Sequence, residues 1–147
     1  MRILSIKNRI FALSAATALL ACAPQFAFAL DAQMDQAVEK GKTLFTHETF
    51  GGNGKVCESC HLGGGKAPGK LPNGQAIPSL GNAAAIFPRI RAKDNRLVTL
   101  PDQVVSCIGN ALQGKAPAYG SEELNALVSY VTSLSQGKQI DMGGKPR

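Results

Sequence analysis

Cys57-Glu58-Ser59-Cys60-His61 sets two thiols three positions apart with an imidazole directly after the second. Three kinds of chemistry use such a set. The thiols could bind zinc, but His47 and Cys107 would have to complete the site from irregular distances along the chain. They could cycle as a redox disulfide, but no βαβ pattern surrounds them. The third is covalent attachment of haem, in which the thiols add to the two vinyl groups and His61 is held under the iron as proximal ligand. The adjacent histidine and the helical flanks favour this one. One such motif implies one haem c.

The elements around the motif fit that task. Met34, Ala37, Val38, Gly41, Leu44 and Phe45 recur at helical spacing, which predicts a helix over 34–45 with Met34 in its core stripe. Gly41 inside the stripe weakens the helix and is tolerated if another helix crosses closely there. A second helix is predicted over 100–113, with Thr99 as cap, Asp102 as its capping-box partner and Pro101 in the first turn. A third is predicted over 122–136, capped by Ser121 and stopped by Gly137, with Glu122 and Glu123 in its positive first turn. Between motif and second helix, 62–98 is rich in Gly and Pro, with only a short turn expected near 82–86. A loop of that length suits wrapping a prosthetic group that supplies apolar surface. No strand pattern appears, and 138–147 reads as a flexible tail.

The N-terminus reads as an address rather than as structure. Residues 1–29 carry Arg2, Lys7 and Arg9, no acid, an apolar run and Ala27-Phe28-Ala29, the layout of a secretory signal peptide. Export to the periplasm is therefore expected, with a mature domain over 30–147. A competing pattern, Leu19-Leu20-Ala21-Cys22, would make Cys22 a lipidated anchor, the one route to a membrane. The whole sequence has 16 basic and 10 acidic residues, net +6. Without the three basic residues of 1–29 the balance is +3, too mild to argue for nucleic acid but suited to docking an acidic partner. Cleavage after Ala29 leaves Cys57, Cys60 and Cys107, an odd count that haem attachment reduces to Cys107 alone.

Gly41 to Phe45 upstream of the motif and Tyr130 in the last helix resemble the class I cytochrome c fold. That resemblance implies an all-α domain of three main helices in which the first and last cross at a glycine–aromatic contact. Pro78-Ser79-Leu80 resembles the same family's Pro-x-Leu segment. It implies that the Pro78 carbonyl accepts a hydrogen bond from the His61 ring and orients it.

The other side of the iron departs from that pattern. Ala116 stands where a distal methionine would be, in Lys115-Ala116-Pro117-Ala118-Tyr119, and Met142 lies in the tail. On residue type alone Cys107 is either the distal ligand or a buried core cysteine. His47 and an open iron remain as alternatives. The segments 53–62 and 91–100, and Cys107 followed by Gln113-Gly114-Lys115-Ala116-Pro117, resemble the N-terminal haem domain of thiosulfate dehydrogenases and related Sox cytochromes. This resemblance implies a cysteine ligand at Cys107, which would also be the catalytic sulfur. It further implies basic side chains that hold a small sulfur anion, with Lys66, Arg89, Arg91 and Arg96 as the candidates here. Enzymes of that type carry two haem domains, and an arginine commonly stands where this chain has Gln103.

A thiolate ligand favours ferric iron and lowers the reduction potential. Three functions follow as expectations. The chain is a periplasmic electron-transfer cytochrome working with another redox protein, such as a second cytochrome subunit, in thiosulfate oxidation. Or it is the haem subunit of a catalytic thiosulfate-oxidising complex. Or it binds a diatomic gas (NO or CO) where Cys107 leaves the iron. The fold alone does not choose among them.

Overall fold

A computed structural model describes residues 23–147 except Pro72, with side chains described from Asp31 onward. Helix α1 (Ala23–His47) starts well before the predicted residue 34. The added residues include good helix formers, Ala23, Ala27, Ala29 and Leu30. The expected signal peptide lies mostly outside the described residues, as does Cys22. Among the described residues no helix is long and apolar enough to cross a membrane. The described residues divide at Ala32, and Gln33–Arg147 forms a unit of its own; it carries the haem motif and is described from here on.

Within it, Val38, Leu44 and Phe45 form the apolar stripe of α1, and Phe45 is buried. Met34 does not join them: it is 59% exposed. The reason is the crossing. Helix α4 (Glu122–Ser133) meets α1 at Gly41, two turns beyond Met34. A Cβ on Gly41 would overlap the Ala126 carbonyl oxygen and lie 2.7 Å from the Tyr130 Cβ. Phe45 then packs edge-on against Tyr130 at 5.3 Å between ring centroids. Lys40 pairs with Glu122 at 2.8 Å across the same junction.

Helix α3 (Leu100–Asn110) begins as its sequence predicts. The Thr99 backbone N–H donates to Asp102 Oδ2 at 2.9 Å, and the Thr99 side chain accepts from the Asp102 N–H. It ends three residues short of the expected 113, because the chain enters the left-handed region at Gln113, φ 56°. Helix α4 is capped by Ser121, whose hydroxyl accepts from the Leu124 N–H at 3.2 Å. Its last turn tightens after Ser133, where Ser135 N–H donates to the Thr132 carbonyl.

The expectation of an all-α fold needs correcting. A short helix α2 (Ala83–Ile86) and two antiparallel hairpins accompany the long helices. Strands β1 (Gly69–Lys70) and β2 (Ala76–Ile77) pair Gly69 with Ile77. Strands β3 (Arg89–Arg91) and β4 (Arg96–Val98) pair Ile90 with Leu97. Strands of two or three residues are too short for alternation to be seen. Their turns were the available signal: Asn73-Gly74, with Gly74 at φ 84°, and Asp94-Asn95, with Asn95 at φ 54°.

The C-terminal residues, expected as a flexible tail, carry no regular structure but are tied down. Asp141 and Gly143 N–H groups donate to the Ala85 and Ile86 carbonyls. The Asn82 side chain donates to the Lys145 carbonyl and accepts from the Arg147 N–H. A central cluster of Phe45, Leu100, Ile108, Leu127, Tyr130 and Val131 joins α1, α3 and α4.

Candidate haem site

Backbone bonds fold the motif into a tight turn. Cys57–Ser59 is a single 3-10 turn. The Cys60 and His61 N–H groups both donate to the Cys57 carbonyl, at 3.2 and 3.0 Å. The Val56 N–H donates to Ser59 Oγ, and Glu58 Oε1 accepts from the Gly64 N–H at 2.8 Å. Gly69 of β1 then comes so close that a Cβ there would overlap the Cys60 carbonyl oxygen. The first hairpin thus braces the motif from behind.

Cys57, Cys60 and His61 line one cavity of about 300 Å³. Its walls are mostly aliphatic and aromatic, from Phe45, Leu100, Val104 and Val131 among others. Cys107 reaches the same cavity from α3, together with Gln103. No disulfide joins Cys57, Cys60 or Cys107. Burial pushes the Cys57 thiol up to about 12, and the neighbouring Cys107 and Cys60 sulfurs add to the effect. Burial also lowers the His61 pKa, which keeps the ring neutral, the form that ligates a metal.

The other ligand candidates separate cleanly. His47 is exposed at the end of α1, with its Nδ1 2.6 Å from Thr46 Oγ1, and does not line the cavity. Met34 and Met142 are exposed, at 59% and 67%. Ala116 packs against the core and lies outside the cavity. Among the described residues no three His, Cys, Asp or Glu side chains gather as a metal-binding group.

Two expectations need correction. Pro78 lines the cavity, but its bond to His61 is not made: His61 Nδ1 is buried and has no hydrogen-bond partner. The Pro78–Leu80 segment is anchored instead by the Leu80 N–H donating to the Gly65 carbonyl at 2.7 Å. Of the four basic candidates, only Arg89 lines the cavity, with its guanidinium 4.9 Å from the Phe87 ring centroid. Arg91 sits nearer the hairpin turn and pairs with Asp94, whose carboxyl it pulls down to about 2. Lys66 and Arg96 are exposed away from the cavity. Pro146 also lines the cavity, and nothing local in its sequence announces that.

The residues present fit a haem. An apolar chamber holds two thiols, a neutral imidazole with an unpartnered buried nitrogen, and a third sulfur from another helix. Residues 40–140 match the model of the SoxA/TsdA cytochrome c domain. The chain belongs to that family. Membership makes it a c-type cytochrome and implies haem c.

Its relatives carry a consistent name. It is 30% identical over 112 residues to a thiosulfate dehydrogenase of Psychrobacter arcticus, covering 72% of this chain and 32% of that one. It is 29% identical over 122 residues to a thiosulfate dehydrogenase of Allochromatium vinosum, covering 80% and 44%. The chain therefore spans less than half the length of these relatives. The solved thiosulfate dehydrogenase TsdBA of Marichromatium purpuratum, in its as-isolated form, superposes with a TM-score of 0.58 at 24% identity, over 75% of this chain and 24% of that one. This likeness supports the cytochrome c fold.

Proposed function

We propose that the chain is an exported, single-haem c-type cytochrome that passes electrons in the periplasm during oxidation of a sulfur anion such as thiosulfate. Cys57 and Cys60 would hold the haem covalently, His61 would be its proximal ligand and Cys107 its distal ligand. The observation that carries this is the gathering of His61 and Cys107 in one apolar cavity while both described methionines face solvent. When bound, the haem supplies one-electron redox chemistry. The chain's own residues exclude water from it, keep the His61 ring neutral and present a sulfur from α3.

The thiosulfate setting rests on the names of the relatives and on the family. Two thiosulfates joining as tetrathionate release two electrons, whereas one haem accepts one, so a second redox protein has to take electrons onward. A catalytic role is the second reading. It is favoured by Arg89, a cation that lines the same cavity as the Cys107 sulfur.

The test is the haem-loaded protein and its Cys107→Ala variant. The native protein should contain one haem per chain by mass, a ferric spectrum with thiolate character and a low reduction potential. The variant should lose the thiolate features and shift to a higher potential. An unchanged spectrum rules out Cys107 as ligand. Reduction by thiosulfate with tetrathionate formed, in the presence of a second cytochrome, supports the catalytic role.

A further inference from the structure

Gln103 stands one helical turn before Cys107 on α3, and its Nε2 donates to the Cys107 Sγ at 3.3 Å. Both side chains are half-buried and both line the apolar cavity. The i,i+4 spacing puts them on one face of the same helix, so the backbone fixes their contact. Among the described residues no other side chain donates to this sulfur. A carboxamide has a donor and an acceptor end, whereas a thiolate only accepts. Gln103 presents the donor end of its amide to the sulfur, the end that a thiolate ligand would accept from.

From this geometry we infer that Gln103 is a positioning residue for the Cys107 sulfur, aiming it into the cavity and setting how strongly it donates to iron. The inference rests on the proposal that Cys107 is the distal ligand. An N–H that shares the negative charge of the sulfur weakens its donation to ferric iron. Ferric and ferrous forms are thereby brought closer in energy, and the reduction potential is higher than that of a bare thiolate site. The amide does this without adding a charge to an apolar chamber, where an unpaired charge is costly. The bond also favours the χ1 rotamer that keeps the sulfur facing the cavity.

Gln103→Leu in the haem-loaded protein removes the donor and keeps a side chain of similar size. The expected result is a low-spin ferric spectrum that still shows thiolate ligation, a sulfur-to-iron charge-transfer band moved to longer wavelength, and a lowered reduction potential. Gln103→Arg restores an N–H donor, and its potential should return to the native value or exceed it. A side chain that only filled space would leave the potential of the leucine variant unchanged, and that result overturns the inference. Cys107→Ala separates the two levels. If it alters the ferric spectrum while Gln103→Leu leaves band and potential in place, the ligand stands and the role of Gln103 falls. If Cys107→Ala changes nothing, the ligand falls and the inference falls with it.

Discussion

The Tyr130 hydroxyl donates to the Gly64 carbonyl at 2.8 Å, fastening α4 to the loop that leaves His61. The same ring packs edge-on against Phe45, whose own ring centroid is 6.4 Å from that of His61. The crossing of α1 and α4 thus continues directly into the wall behind the imidazole. Tyr130→Phe keeps the ring and removes the bond. Its expected cost is about 1 kcal/mol, read as a lower denaturant midpoint with an unchanged ferric spectrum.

Gly41→Ala is the harsher change at this crossing. Its Cβ has no room beside the Ala126 carbonyl and the Tyr130 Cβ, and backbone cannot step aside as a flexible side chain can. Separating the helices should cost at least 2 kcal/mol, even though alanine is the better helix former by about 1 kcal/mol. Chemical denaturation of the haem-loaded protein measures it. A gain in stability would show that the helices do not meet there.

How much of this was legible depends on how local the cause is. Thr99 with Asp102, and Ser121 before two glutamates, announce the starts of α3 and α4 because capping is settled within four residues. Gly41 was legible as a crossing point because a glycine in an apolar stripe needs a neighbour's backbone to account for it. Met34 has the right spacing for the same stripe, but its exposure depends on where α4 crosses, which α1 alone does not encode. The four basic candidates look equivalent in sequence. Only the hairpin register brings Arg89 to the cavity and leaves Arg91 to Asp94. The C-terminal segment shows no periodicity because its partners, the backbone carbonyls of α2 and the Asn82 side chain among them, lie more than fifty residues away.

The motif cysteines should be separable. If both thiols hold the haem as proposed, Cys57→Ser would leave Cys60 to hold it by one thioether, and Cys60→Ser would leave Cys57. Each single variant should retain haem on a denaturing gel, with the reduced pyridine adduct absorbing at a longer wavelength than the native protein. The double variant should lose haem under denaturing conditions. Haem that persists through denaturation in the double variant would show attachment elsewhere.

Arg89 distinguishes a carrier from an anion-binding catalyst. Arg89→Gln removes a cation that lines the cavity, whereas Arg96→Gln removes one that does not. If thiosulfate reaches the Cys107 sulfur, the first variant should slow thiosulfate-dependent haem reduction at least tenfold, a loss of about 1.4 kcal/mol. The second should stay close to native. Equal effects, sensitive to salt in the same way, would instead indicate that both arginines only steer a partner.

The start of α3 carries an acid-sensitive bond set. Asp102 accepts from the Thr99 N–H at 2.9 Å, the Thr99 hydroxyl at 2.7 Å and the Tyr119 hydroxyl at 2.6 Å. These bonds, that of Tyr119 foremost, hold its carboxyl down to about 2. An unfolded aspartate titrates near 3.9. The folded value is the lower one, so the stabilisation is fully present above about pH 4 and is lost as the pH falls toward 2. Asp102→Asn should therefore lower stability at neutral pH and flatten its decline between pH 4 and 2. Thr99→Ala should cost about 1 kcal/mol at neutral pH by removing the cap. Circular dichroism melts across that range decide the matter: an acid limb as steep in Asp102→Asn as in the native protein would assign the acid sensitivity to another carboxylate.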